Sequence, residues 1–227
     1  MKIAIIPARG GSQGIHKKNL CNLGGKPLLW WTLNAALESK KIDKVFVTTD
    51  DQEIADYTSS MGVEVILRPE NISGSTATSE SAIVHALDKI ESSFDKKIDL
   101  VIFLQATSPL RLKDDIDNAV DEFFSLKADS LFSSSIADDL TLWQKNHNNQ
   151  FQSINYDYKN RTIRQEAPVQ YIENGSIYIF TPNIIRMHNN RLAGKIDTYV
   201  MKSWQVHEID VEDDLELIEY YLDKITI

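Results

Sequence analysis

The stretch Lys2-Ile3-Ala4-Ile5-Ile6-Pro7-Ala8-Arg9-Gly10-Gly11-Ser12-Gln13-Gly14-Ile15-His16-Lys17-Lys18-Asn19 decides how the rest of the chain is read. Residues 3–6 form a continuous apolar run without polar alternation, the pattern of a strand buried on both faces. A proline ends it, and glycines and cations follow. Similar runs recur at 45–49, 63–67, 100–104, 131–135 and 177–180. Segments with helical spacing lie between them. Residues 28–37 start just after Pro27, where a missing N–H costs least. Residues 79–91 place Ala82, Ile83, Ala86, Leu87 and Ile90 on one face, and 114–126 do the same with Ile116, Ala119, Val120, Phe123 and Phe124. Strand and helix alternate through residue 135, which predicts an α/β fold built on a doubly wound, mostly parallel sheet with right-handed crossovers.

The alternation breaks at 137–171, where Trp143, a polar run at 145–150 and the Tyr156, Tyr158 pair fit no buried parallel strand. The expected organisation is one body, residues 1–136 and 172–227, carrying an inserted hairpin arm at 137–171. A closing helix is expected at 210–222, with acids at its start and Leu215, Ile218, Tyr221 and Leu222 inward.

The 227 residues suit one domain, and 42% hydrophobic with 25% charged residues is a globular balance. With 24 basic and 33 acidic side chains the net charge is −9, so no general attraction to nucleic acid or anionic membrane is expected. An anionic ligand needs local cations or a metal. Cys21 is the only cysteine, which excludes a disulfide within the chain and a thiolate zinc cluster. A reducing, cytoplasmic compartment is the expectation, since the apolar run before Pro7 is too short for a signal-peptide core.

In an open α/β sheet, ligands bind beyond the carboxyl ends of the strands, which is where the loop after residue 7 belongs. Glycines let backbone N–H groups approach phosphate oxygens, and Arg9 and Lys18 supply the charge. Neither Gly10 nor Gly11 continues into the Gly-Lys-Ser/Thr end of a P-loop, and Gly10, Gly11 and Gly14 lack the dinucleotide spacing. A triphosphate cradle and a glycine-rich surface turn with solvated cations both remain. A second polar loop, Leu104-Gln105-Ala106-Thr107-Ser108-Pro109-Leu110-Arg111, falls at the same sheet edge and offers an amide, two hydroxyls and a guanidinium. Ile163-Arg164-Gln165-Glu166 and Glu173-Asn174-Gly175 add groups that suit a carboxylated, hydroxyl-rich ligand. If Asp210 and Glu212 lie on an extended lead-in to the last helix, their two-residue spacing turns both carboxylates to one side, as a Mg²⁺ site beside phosphates requires. The alternative is that these acids only stabilise the helix N-terminus. The five histidines show no metal spacing.

Taken in order, these segments resemble the cytidylyltransferases that activate nine-carbon sugar acids, the CMP-sialic acid synthetase family, over nearly the whole chain. The resemblance implies a nucleotide-diphospho-sugar transferase-like, Rossmann-type layer and a reaction of CTP with a free 3-deoxy-2-keto nonulosonic acid, giving the CMP-sugar and pyrophosphate. It implies Mg²⁺ as cofactor, with Mn²⁺ as a substitute, held by Asp210 and Glu212. Ala8, Arg9, Gly10, Gly11, Ser12, Lys18, Asn19, Arg68 and Ser79 look like nucleotide-binding residues. Gln105, Thr107, Ser108, Arg164, Gln165, Asn174 and Gly175 look like sugar-acid residues, and Arg9, Lys18, Gln105 and Asp210 are the catalytic set. Family members are homodimers that exchange an arm, which implies interface roles for Trp143, Phe151, Tyr156 and Tyr158. Two other readings are the cytidylyltransferase for the eight-carbon acid Kdo and a catalytically silent nucleotide- or sugar-acid-binding protein. The Kdo enzymes' opening and closing motifs match less well.

Overall fold

Alternation along the first strand builds a core on both sides of one sheet. Ala4 and Ile6 pack with Leu29, Leu33, Ile54, Ile116 and Val120, whereas Ile3 and Ile5 pack with Ile83, Leu87, Ile90 and Ile185. The computed structural model describes residues 1–12, 14–74, 77–94, 96–137, 140–163 and 165–224. In chain order the elements are β1 (Lys2–Pro7), β2 (Asn22–Leu23), β3 (Lys26–Pro27), α1 (Leu28–Glu38), β4 (Lys44–Thr49), α2 (Gln52–Ser60), β5 (Glu64–Leu67), α3 (Ser79–Ser93), β6 (Leu100–Leu104), α4 (Asp115–Ser125), β7 (Ser130–Ile136), β8 (Trp143–Lys145), β9 (Phe151–Ser153), β10 (Tyr171–Phe180), α5 (Pro182–His188), β11 (Ile196–Met201) and α6 (Glu212–Lys224). Helices α1, α2 and α4 cover one face and α3 and α5 the other, the expected doubly wound arrangement.

The main sheet runs β11-β7-β10-β6-β1-β4-β5. Every pairing is parallel except those of β10, which is antiparallel to both β6 and β7. The reversal follows from the chain path: β7 returns directly as β10, and the Ala137 N–H donates to the Gln170 carbonyl at 2.9 Å, extending the ladder past Ile136 and Tyr171. Residues 137–170 are therefore the elaborated loop of a long hairpin. Within it β8 and β9 pair antiparallel, and Trp143 packs against the rings of Tyr156 and Tyr158.

Besides the two-residue strands β2 and β3, three elements escaped the sequence pattern. Helix α2 is mostly polar and buries only Ile54, Ala55 and Thr58. Helix α5 is short. Strand β11 lies at the sheet edge, where Asp197 and Thr198 interrupt any apolar run. The last helix begins later than residue 210, because Asp214 accepts the backbone N–H groups of Asp210 at 2.7 Å and Val211 at 2.9 Å and holds both outside the first turn. A third apolar cluster, Ile15, Leu23, Leu28, Leu110, Ile209, Ile218 and Leu222, fixes α6 under the loop that follows β1. Among the described residues no helix is long and apolar enough to cross a membrane.

Candidate active site

A cleft of about 420 Å³ opens beyond the carboxyl ends of β1 and β6. Pro7, Arg9, Ser12, Lys18 and Asn19 line it from the loop after β1, Arg68 from the end of β5, and Thr78, Ser79 and Ala82 from the start of α3. Phe103, Gln105, Ala106 and Thr107 come from β6 and its following turn, and Glu208 and Asp210 from the lead-in to α6.

The glycine loop is held from several sides. The Gly10 N–H donates to Asp50 Oδ1 at 2.9 Å, and a Cβ at Gly10 would stand 2.5 Å from Asp51 Oδ2, so only glycine fits this approach. Buried Asn19 donates from Nδ2 to the Arg9 carbonyl at 2.9 Å. Lys17 turns the chain with φ 49°, and Lys18 then reaches across to the Ile209 carbonyl at 2.8 Å and Asp210 Oδ1 at 2.9 Å. A Cβ on Gly14 would overlap the Asp210 carbonyl oxygen, so loop and lead-in pack backbone to backbone. Arg68 donates to the Thr48 hydroxyl at 3.0 Å and carbonyl at 2.6 Å; burial lowers its pKa, opposed by Asp50.

On the opposite side, Glu208 Oε2 accepts from Gln105 Nε2 and from the Thr107 hydroxyl, each at 3.3 Å. Burial raises the Glu208 pKa above its ordinary value, against the Thr107 hydrogen bond, while Asp210 adds to the rise. The Ile209 N–H donates to the Thr107 carbonyl at 2.8 Å, clamping the lead-in to the turn. Gly175 has φ +66°, and a Cβ there would overlap Glu208 Oε1 and stand 2.7 Å from Gln105 Nε2.

The structure thus gathers Arg9, Ser12, Lys18, Asn19, Arg68, Ser79, Gln105, Thr107 and Asp210 around one cavity. Other residues singled out in the sequence are placed elsewhere. Ala8 is buried at the strand end with its N–H on the Thr48 carbonyl; it, Gly10 and Gly11 lie outside the lining, and the Gly10 N–H is taken by Asp50. Ser108 is buried beneath its turn. Asn174 points inward, accepting from the Ser133 hydroxyl at 2.6 Å and donating to Met201 Sδ at 3.2 Å. Arg111, expected to pair with an anion, is likewise internal, at 1% exposure. Gln165 lines a separate hollow of about 930 Å³ in the arm, and Arg164 lies outside the described residues. Of the expected acidic pair, Asp210 lines the cleft and Glu212 does not. Glu212 is the exposed first residue of α6, whereas Glu208 shares the cleft with Asp210, because the extended lead-in ends before Glu212. The signal for Glu208 was available: it stands two residues from Asp210 on the same segment.

A family model described as cytidylyltransferase matches residues 3–226. The N-acylneuraminate cytidylyltransferase of Oncorhynchus mykiss is 33% identical over 95% of this chain and 49% of its own length, and that of Escherichia coli O18:K1:H7 is 33% identical over 95% and 50%. The chain spans about half the length of the curated relatives it matches. Among solved structures, a CMP:2-keto-3-deoxy-manno-octonic acid synthetase complexed with CTP superimposes with a TM-score of 0.73 at 16% identity, covering 98% of each chain. A 4-diphosphocytidyl-2C-methyl-D-erythritol synthase from Anaerococcus prevotii does so with 0.68 at 15%, again over 98% of each. These two share the fold. A match running from the first strand to the last helix, on a cleft lined by the cations of the opening loop, means that the chain belongs to the cytidylyltransferase family.

Proposed function

We propose that the chain transfers the cytidylyl group of CTP to the anomeric hydroxyl of a nine-carbon 2-keto-3-deoxy sugar acid, releasing pyrophosphate. The observation that carries this reading is the cleft's division into a cationic side, with Arg9, Lys18 and Arg68, and an amide-hydroxyl-carboxylate side, with Gln105, Thr107 and Glu208. The cationic side suits a triphosphate and the other a polyhydroxylated acid. The names of the 33% identical relatives support an N-acylneuraminate as the acid.

The sugar hydroxyl forms a bond to the α-phosphorus and gives its proton to water, as the bond to the α,β-bridging oxygen breaks and its electron pair leaves with pyrophosphate. Charge grows on non-bridging oxygens and on departing pyrophosphate, so positioning and fixed cations carry most of the rate enhancement. Arg9 and Lys18 face that charge. Gln105 orients the hydroxyl and, as an amide, takes no proton at neutral pH. Among the described residues no group of three or more His, Cys, Asp or Glu could hold a metal alone. The two oxygen donors Glu208 and Asp210 nevertheless fit Mg²⁺ or Mn²⁺, because Mg²⁺ is commonly bound by one or two carboxylates together with substrate phosphates. When bound, the ion would neutralise triphosphate charge beside the acidic pair.

The arm supports assembly as a homodimer with exchanged arms: Trp143, Phe151, Tyr158, Ile163 and Val169 are exposed apolar side chains on it. A cytoplasmic site of action accords with the single cysteine. The assay is pyrophosphate release from CTP and Mg²⁺ with N-acetylneuraminic, legionaminic, pseudaminic, Kdn and Kdo acids in parallel. Release with a nine-carbon acid and little with Kdo is expected. Release with Kdo alone contradicts the substrate assignment, and no release with any acid contradicts the enzymatic reading.

A further inference from the structure

We propose that Arg111 is the positioning residue of the sugar-acid side of the cleft, a buried guanidinium that ties the Gln105 turn to the β10 bulge. The inference rests on the cytidylyltransferase reading above and adds to it a residue that touches no substrate. Arg111 is 1% exposed. Its Nη1 donates to the Thr32 hydroxyl of α1 at 2.8 Å, and its Nη2 donates both to the Gln105 carbonyl at 2.7 Å and to the Ser176 carbonyl at 2.6 Å. One nitrogen therefore joins the two segments that face Glu208.

Both segments lie where the sheet cannot hold them. The β6–β10 ladder ends at the Leu104–Ile177 pair, so Gln105 is one residue past it. The β7–β10 register shifts between Glu173 and Tyr178, which leaves Asn174, Gly175 and Ser176 outside regular pairing. On the β7 side the bulge is caught by Ser133, whose hydroxyl accepts the Ile177 N–H at 2.7 Å and donates to Asn174 Oδ1 at 2.6 Å. On the cleft side the tie is Arg111. What it positions is close by: Gly175 packs against Glu208 and the Gln105 amide, and that amide contacts Glu208.

The chemistry of the group points the same way. Burial pushes the Arg111 pKa down to about 9, with Asp115 and Glu208 acting to raise it. A cation so desolvated is destabilising unless its donors are used; here Nη1 and Nη2 are spent on a hydroxyl and two carbonyls, while the buried Nε has no partner among the described residues. The planar group spreads its donors over two nitrogens in fixed directions, so Nη2 holds the two carbonyls while Nη1 holds the Thr32 hydroxyl, an arrangement that the single nitrogen of an ammonium does not reproduce. Electrostatics alone would not demand an arginine at this point.

The test uses Arg111→Lys and Arg111→Met, with thermal melting to establish folding. The readouts are pyrophosphate release against sugar-acid concentration, and CTP binding by calorimetry without the acid. The expected result is a rise of about tenfold or more in the sugar-acid KM for both variants, with CTP affinity within twofold of wild type. A general loss of packing would move both quantities together. If either variant does not fold, Thr32→Val removes the Nη1 acceptor together with the hydroxyl's own 3.3 Å bond to the Gln105 carbonyl, and should give a rise of about threefold in the sugar-acid KM with CTP binding unchanged. A folded variant with a wild-type sugar-acid KM, or with CTP affinity falling in parallel, overturns the proposal alone. A wild-type chain that binds CTP but releases no pyrophosphate with any acid overturns the function on which it rests.

Discussion

The two sides of the cleft are built by opposite means. On the cationic side, proposed for the nucleotide, the lining groups themselves are the braces: Lys18 grips Asp210 across the cavity, Asn19 lines the wall while holding the Arg9 carbonyl, and Arg68 is anchored on Thr48. On the sugar-acid side the brace lies underneath, in Arg111, Ser133 and Asn174, and the exposed groups rest on it. A side held by its own lining groups has to give up those contacts to take a ligand, and under the proposed function Lys18 leaves Asp210 to meet phosphate. A side held from below is organised in advance. Substitutions should therefore separate the two ligands cleanly.

The largest separation is expected from Asp210→Asn. Turnover should fall by about 10²–10³-fold, the scale of losing one preorganised charge contact, with CTP affinity changed far less. A steady-state rate near wild type would remove Asp210 from the reacting centre. Next comes Gly175→Ala, which adds a Cβ into Glu208 at a residue with φ +66°. Strain of this kind costs about 1–3 kcal/mol, and it should appear in the sugar-acid KM and in turnover while CTP binding survives. Equal damage to CTP binding would break the distinction between the sides.

Asn19→Ala is the converse. Loss of the hydrogen bond to the Arg9 carbonyl should weaken CTP by roughly fivefold, in line with about 1 kcal/mol, and leave the sugar-acid KM in place. The smallest effect belongs outside both sides: Lys41→Ala removes a partly exposed pair with Asp121, which should cost at most about 1 kcal/mol in unfolding and nothing in rate.

The same contrast explains what the sequence disclosed. Apolar runs and helical spacing give the alternating body because burial on both faces of a parallel sheet leaves a continuous hydrophobic signature. They miss β11 and α2, which bury little. Arg9, Ser12, Lys18 and Arg68, singled out in the sequence, all line the cleft, because this side turns its charged and polar groups outward. Asn174, Ser108 and Arg111 carry equally suggestive chemistry but turn inward, and a sequence does not record which way a side chain in an irregular segment points. The bulge that decides this for Asn174 depends on β7 pairing more than thirty residues away. The place of Glu208 in the cleft, and of Glu212 outside it, follows from the start of α6, which the Asp214 cap sets through two hydrogen bonds that spacing in sequence does not record.

The most direct measurement is the phosphorus NMR spectrum of CTP incubated with Mg²⁺, N-acetylneuraminic acid and the purified chain. The account predicts a new phosphodiester resonance and pyrophosphate growing in equal amounts, at the expense of CTP and free acid. Pyrophosphate without the diester, or CTP left intact while it is shown to be bound, would contradict it.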